Sequence, residues 1–236
     1  MLRTLFYYLT FFPWTLFVLL LALPISLFSE NAVHNWGIFW GRGCLLLAGL
    51  RVKVRGAEHI PHGRAALYVA NHQSNFDIPI LYTGLPLQFR WLAKKELFDV
   101  PLFGLAIKRC GYIPIDRSDR RKAMHSMNAA AQQVSNGVSV IVFPEGTRSP
   151  DGKLQEFKKG GALIAVKAQV PIVPVAIKGS FAVMSKDSFR IHGSDIEVEI
   201  FPPIETAGLK NSDADRLLEQ AREPIAAMLE GVERDE

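Results

Sequence analysis

Two short polar segments, each placed directly after an apolar run, hold the side chains best able to do chemistry. The first is Asn71-His72-Gln73-Ser74-Asn75-Phe76-Asp77, in which His72 and Asp77 stand five positions apart. On an ideal helix that spacing is about 140° off a common face, so the two meet only where the chain bends between them. A strand-to-helix turn supplies the bend. A carboxylate on one imidazole nitrogen then fixes the tautomer and makes the other nitrogen a better base, the arrangement that activates a hydroxyl. From these residues alone, Asp77 is equally explained as a helix cap ahead of Pro79, and His72 as a satisfied loop histidine.

The second segment is Phe143-Pro144-Glu145-Gly146-Thr147-Arg148-Ser149. Its tight loop offers an acidic acceptor, free backbone N–H groups and a guanidinium, and a phosphate-bearing ligand would use the last two. A polar turn with an exposed arginine accounts for it as well. Between the two lies Gly111-Tyr112-Ile113-Pro114-Ile115-Asp116-Arg117, an apolar strand ending in an arginine just before a helix that Ser118 can cap. A helix N-terminus beside an arginine suits an anion, unless Asp116 simply pairs with Arg117. G-x-S-x-G, Walker and G-x-G-x-x-G motifs are absent from the sequence. Ser74 reads as a local hydrogen-bonding serine, and Cys110 has no base beside it in sequence.

These loops must be held by strands and helices. Ala65–Ala70 reads as a buried strand, and Ile78–Thr83 begins a helix announced by Asn75, Asp77 and Pro79. Met124, Met127, Ala131 and Val134 give a helix its apolar face, and Gly137 ends it before a strand at Val138–Phe143. A helix at Gly161–Gln169 leads into a strand at Ile172–Ile177, with a further strand at Ile196–Phe201. Alternation of this kind predicts an α/β domain, a mixed sheet flanked by helices. Ser212–Val232 reads as a surface helix, kinked or divided at Pro224.

Of 236 residues, 49% are hydrophobic and 21% charged, enough to bury one sizeable core and too apolar for a disordered chain. The net charge of +4 is mild for a nucleic-acid binder and suits an anionic surface or ligand. It is unevenly spread: residues 90–122 hold nine Lys/Arg against four Asp/Glu, whereas residues 195–236 hold four against twelve. Two cysteines without a C-x-x-C pair, and no histidine cluster at ligand spacing, indicate neither a disulfide framework nor a metal site.

Thr4–Ser29 carries no charge and is rich in Leu, Phe, Tyr and Trp, a length that can cross a bilayer. A second apolar stretch, Ala32–Leu50, follows the polar break Ser29-Glu30-Asn31. We expect a retained two-helix membrane anchor over residues 1–52 and the α/β domain over 53–236. Arg3, Arg51, Lys53 and Arg55 flank the pair and put both its ends on the cytoplasmic side. Pro13, Pro24 and Arg42 leave open whether the helices cross twice or lie as a hairpin in one leaflet.

Taken in order, NHQSNFD, GYIPIDR, FPEGTRS and Val170-Pro171-Ile172-Val173-Pro174-Val175 resemble the four sequence blocks of the glycerophospholipid acyltransferases, in particular their bacterial-type lysophosphatidic acid members. The likeness covers residues 60–180, and the hydrophobic N-terminus is similar to the membrane-anchoring helix pair of that family. The resemblance implies that His72 is the base taking a proton from a glycerol hydroxyl, with Asp77 orienting it. The hydroxyl then attacks an acyl thioester directly, with backbone N–H groups of the His72 loop available to the oxyanion. Glu145, Gly146, Thr147 and Arg148, with Arg117 and then Lys158 and Lys159 of FKKG, would bind the glycerophosphate part of the acceptor. Pro114 departs from the usual pattern of the second block, where an apolar, often aromatic residue is commoner, and the prolines of the fourth are equally explained as strand-edge residues.

The activity so implied is transfer of a fatty acyl chain from acyl-CoA or acyl-carrier protein to lysophosphatidic acid, giving phosphatidic acid. It needs no cofactor beyond that co-substrate, no metal and no nucleic acid, and belongs on the cytoplasmic face of a bacterial inner membrane. Both donors are anionic, which suits the basic stretch from Arg90 to Lys122. Two other readings stand beside it: the same chemistry on another lysophospholipid or an aminolipid, and a non-catalytic membrane protein that binds anionic lipid.

Overall fold

The computed structural model describes residues 1–231. In chain order its elements are α1 (Leu2–Ile25), α2 (Glu30–Leu47), β1 (Val52–Arg55), β2 (Leu67–Ala70), α3 (Asp77–Gly84), β3 (Arg90–Lys94), α4 (Phe103–Arg109), β4 (Ile113–Ile115), α5 (Arg120–Ser135), β5 (Val140–Val142), α6 (Gly160–Ala168), β6 (Ile172–Lys178), α7 (Ser180–Val183), β7 (Ile196–Ile200) and α8 (Ala214–Glu230). The expected α/β class is borne out by a seven-stranded mixed sheet in the order β1-β7-β6-β2-β5-β3-β4. All neighbouring strands run parallel except β6 and β7.

The period-two alternation of β2 divides the core. Tyr68 and Ala70 face one buried cluster with Ile80 and Leu81 of α3, and Leu67 and Val69 face another with Ala131 of α5, Ile164 of α6 and Leu217 of α8. In β7 the alternation separates buried Ile196, Val198 and Ile200 from half-buried Glu197 and Glu199. From β2 the chain passes through α3 to β3, and from the adjacent β5 through α6 to β6, in opposite directions along the sheet and over opposite faces. A crevice therefore opens at the carboxyl ends of β2 and β5, where the two polar loops begin.

Several boundaries differ from expectation. Asp119, not Ser118, caps α5, its side chain accepting the N–H of Lys122 at 2.9 Å. Pro174 lies inside the central strand β6, not at an edge, at the residue before pairing with β7 begins at Val175. α8 runs through Pro224 undivided; the expected end of that helix, Val232, lies outside the described residues.

The N-terminal helices are both present. Trp14 and Trp36 donate their indole N–H groups to the carbonyls of Trp40 and Val18, and Trp40 donates to Thr15 Oγ1, which ties α1 and α2 together as a hairpin. Arg3 closes its base on the carbonyls of Ala48 and Gly49. The two helices meet the domain differently. α2 packs on α3, and a Cβ at Gly37 would come within 2.8 Å of the Tyr82 ring while one at Gly41 would lie 3.2 Å from Pro79 O, so two glycines one turn apart set the close approach. α1 is the only described helix long and apolar enough to cross a membrane. It buries only Tyr7, Val18 and Ala22, leaving Leu5, Leu9, Phe12, Leu16 and Leu20 exposed at helical spacing. Tyr7, Leu45, Ala48 and Leu50 share one buried cluster with α3 and β2, so the core runs across residue 52.

Candidate functional site

The turn from β2 into α3 brings His72 and Asp77 together. His72 Nδ1 lies 2.8 Å from Asp77 Oδ2, and the same oxygen accepts the backbone N–H groups of Gln73 at 2.7 Å and Ser74 at 2.8 Å. Asp77 is fully buried at the first turn of α3, where a carboxylate also meets the positive end of the helix dipole. The sequence leaves helix cap and histidine partner as alternatives; the structure makes Asp77 the partner of His72 and a brace for the preceding loop, while Phe76 stands at the N-cap of α3 without a side-chain cap. With Nδ1 engaged, Nε2 is the nitrogen left for a substrate, and the ring borders an apolar cavity. The ring also lies flat on Phe143, centroids 4.0 Å apart and planes 11° apart, and Phe143 stacks in turn on Trp91.

The second loop braces the first. Glu145 Oε1 accepts the His72 N–H at 2.5 Å, Oε2 accepts the Gln155 N–H at 2.9 Å, and the Ser149 N–H donates to the His72 carbonyl at 2.8 Å. Burial pushes the Glu145 carboxyl up to about 7, against the pull of those two N–H groups. Each of its oxygens thus accepts a backbone N–H inside the protein, so Glu145, expected to bind the acceptor, is placed against the His72 loop and outside the residues that line the cavity. Asn71 performs a similar service on the other side, donating to Ile177 O at 2.9 Å and accepting the Ile177 N–H at 2.7 Å, so that β2 and β6 end in register beneath the site.

The N–H groups of His72, Gln73 and Ser74 are likewise all given to carboxylates, so these three amides of the His72 loop are already in use and not free for an oxyanion. Ser74 is held by local bonds, its Oγ donating to Met184 O and accepting the Phe76 N–H. Cys110 is buried with its thiol pushed up to about 12, unsuited to act as a nucleophile.

Cations gather at the mouth. Asp116 pairs with Lys95 at 2.7 Å, and that ammonium holds its carboxyl well below the usual range. Arg117 is thereby left out of that pair, with the Glu96 carboxylate acting on it only at longer range, and donates to the Gly146 carbonyl. Gly146 has φ +74°, and a Cβ there would lie 3.0 Å from Lys158 Nζ and 3.2 Å from Arg117 Nη1, so any side chain would intrude between the two cations. Arg148 donates to Lys186 O at 3.2 Å. Arg117, Arg148 and Lys158 form no ion pair with a described acid, whereas Lys159 is bound to Asp215 at 2.6 Å on the surface.

His72, Arg117, Gly146, Thr147 and Arg148 all line one cavity of about 400 Å³. Beyond them its walls are apolar: Val18, Leu19 and Ala22 of α1, Trp36 and Trp40 of α2, Phe103 and Ala106 of α4, and Trp91, Tyr112 and Phe143. Sequence reasoning missed Phe143 as the partner of His72, although it heads the second loop, and missed the contribution of α1, α2 and α4 to the cavity. No group of three or more His, Cys, Asp or Glu placed to hold a metal occurs among the described residues.

The arrangement can be set against known proteins. The family described as Acyltransferase matches residues 51–178. The 1-acyl-sn-glycerol-3-phosphate acyltransferase alpha of Bos taurus is 36% identical over 227 residues, covering 94% of this chain and 78% of that protein. The Homo sapiens protein of the same name is 35% identical over 227 residues, with 94% and 80% covered. Among solved structures, the 1-acyl-sn-glycerophosphate (LPA) acyltransferase PlsC from Thermotoga maritima matches with a TM-score of 0.83 at 28% identity, over 100% of this chain and 97% of that one.

Proposed function

The chain belongs to the acyltransferase family, and from that premise we propose that it acylates the free hydroxyl of lysophosphatidic acid with a fatty acyl thioester, making phosphatidic acid. The observation that carries this reading is the joining of a His72–Asp77 pair to an apolar cavity lined at its mouth by Arg117 and Arg148, with Lys158 beside Gly146, none of the three in an ion pair with a described acid.

His72 Nε2 takes the proton of the acceptor hydroxyl as its oxygen attacks the thioester carbon. The C–O bond forms, the C–S bond breaks, and the thiolate, whose pKa near ~8.5 makes it a competent leaving group, receives the proton from the imidazolium. Asp77 holds the tautomer and balances the imidazolium charge. Arg117, Arg148 and Lys158 hold the phosphate of the acceptor, and the apolar cavity receives the acyl chain of the donor. Glu145 and Asn71 position the His72 loop and touch no substrate.

The donor is an acyl-CoA or acyl-carrier protein. The exposed stripe of α1 docks the enzyme on the cytoplasmic face of the membrane. Of the two anchoring modes, the packing of α2 along α3 favours a hairpin lying in one leaflet, because α2 cannot be both lipid-bathed and part of the domain core. The test is acyl transfer by the purified full chain in mixed micelles, with labelled acyl-CoA and acyl-carrier-protein donors offered to lysophosphatidic acid and other lysophospholipids, and His72→Ala as control. Phosphatidic acid from the wild type and none from the variant supports the assignment. Product from His72→Ala at the wild-type rate would remove the base.

A further inference from the structure

We infer that the segment from Val100 to Arg109 is a second membrane-docking element, separate from the hairpin, which seats the cavity wall in a phospholipid surface bearing anionic headgroups. The inference rests on the reading of α1 as membrane-docked.

Three observations meet in this segment. Val100, Leu102 and Leu105 are exposed at 45%, 42% and 46%, a run of apolar surface that water does not favour. Leu102 is moreover held at φ +62°, ψ −52°, the centre of a tight turn closed by the Phe103 N–H on Pro101 O at 2.7 Å. That positive-φ γ-turn is rare and strained for a residue with a Cβ. Strain is normally relieved by glycine unless the side chain has a use, and Leu102 belongs to none of the buried clusters described.

The element is continuous with the apolar face already described. α4 packs through Ala106 and Cys110 on Ala22 of α1, and Leu20 and Leu21, next to Ala22 in that helix, are themselves exposed. Leu102, Leu105 and Arg109 follow at spacings of three and four, one face of the turn and helix, and Lys108 and Arg109 stand exposed at its end without described ion pairs. Leucines below and cations at the rim are what an interface of acyl chains under anionic headgroups requires. A soluble acidic protein would satisfy the cations and leave the leucines in water, so the bilayer is the better occupant.

The test places an environment-sensitive fluorophore on Leu105→Cys in the full chain; native Cys44 and Cys110 are buried. Vesicles of phosphatidylcholine and phosphatidylglycerol carry a lipid-borne quencher. Leu9→Cys on the stripe of α1 is the positive control, and Glu219→Cys on α8, across the sheet, is the negative one. Quenching at position 105 near that at position 9 is the expected result. Quenching no greater than at position 219, with position 9 still quenched, overturns the second element and leaves the hairpin docked. If position 9 is not quenched either, the docking of α1 fails and this inference with it. A label at position 105 that responds to acyl-carrier protein and not to vesicles assigns the face to that protein instead. Independently, Leu102→Gly relieves the turn, so we expect unchanged or higher thermal stability with vesicle affinity lowered roughly tenfold. Unchanged affinity would count against the proposal.

Discussion

Asp77 Oδ2 receives three hydrogens, those of His72 Nδ1 and of the Gln73 and Ser74 amides, while Oδ1 is buried without a described partner. This asymmetry makes Asp77→Asn an informative change. The amide oxygen can take the place of Oδ2 and the NH2 that of Oδ1, so the loop keeps its shape and only the charge is lost. We expect kcat to fall by about 10²–10⁴ with little change in KM for the acceptor. Asp77→Ala also orphans buried amides, each costing about 1–3 kcal/mol, and should lower thermal stability as well. Steady-state kinetics beside a melting curve of each variant separate the two effects, and an active Asp77→Asn would show that the charge is dispensable.

Phe143 fixes the plane of the imidazole that Asp77 fixes by its edge. Phe143→Leu keeps apolar volume and removes the flat support, so the ring gains freedom to rotate about the Nδ1 bond. A fall in kcat of roughly tenfold is expected, about the worth of one aromatic pair. KM for the phosphate-bearing acceptor should hold, because the cations are untouched. A variant altered only in KM for the acceptor would place Phe143 against the acceptor rather than beneath the base.

Legibility in the sequence followed the contiguity of the chemistry. His72 and Asp77 share one turn, and Gly146, Thr147 and Arg148 another, so their proximity needed only the strand-to-helix reading that the sheet bears out. What long-range contacts decide was not legible. Glu145 is aimed at the His72 N–H because β2 and β5 are neighbours, and nothing in FPEGTRS tells an inward carboxylate from an outward one. β3 went unread because it opens with a buried arginine, Arg90, whose guanidinium donates to Phe89 O and Asn31 Oδ1. α2 was grouped with α1 because lipid and protein interiors demand the same apolar residues; only Gly37 and Gly41 against Tyr82 distinguish a packed helix from a bathed one.

Glu145 should give stability and activity opposite dependences on pH. Burial raises its carboxyl from an ordinary 4.5 to about 7, so between those values the folded chain binds the proton that the unfolded chain has lost. Its contribution to stability therefore falls as pH rises through that window and is constant above it. Both oxygens act as acceptors for His72 and Gln155 only when the group is ionised, so bracing of the His72 loop improves over the same range. Glu145→Gln removes the titration and turns an NH2 toward one of the two N–H groups. We expect a lower melting temperature, a lower kcat, and loss of the stability slope between pH 5 and pH 7 that the wild type shows. Parallel slopes in both proteins would assign the titration elsewhere.

Arg117 and Lys158 face each other across the space that a Cβ at Gly146 would fill. If that space takes the acceptor phosphate, Arg117→Ala should raise KM for lysophosphatidic acid by roughly 10- to 100-fold, the worth of one charged hydrogen bond, with kcat little changed. Gly146→Ala should do the same through sterics and backbone strain. A neutral acceptor such as monoacylglycerol provides the control, because its rate should not respond to Arg117→Ala. Equal losses on both acceptors would mean that the arginine supports the loop and not the ligand.

Ala106 lines the cavity where α4 meets α1, beyond the polar residues at the mouth. Its methyl group is nearly the smallest side chain available, so a larger residue at this position takes volume from the apolar end without approaching His72. Ala106→Phe should therefore leave a short donor such as decanoyl-CoA turned over at nearly the wild-type rate and slow a palmitoyl donor by tenfold or more, since each buried methylene that loses its site forfeits about 0.8 kcal/mol. Competition between the two labelled donors in one reaction reads the ratio directly and cancels any change in the amount of active enzyme. A ratio unmoved by the substitution would mean that the acyl chain lies outside this cavity.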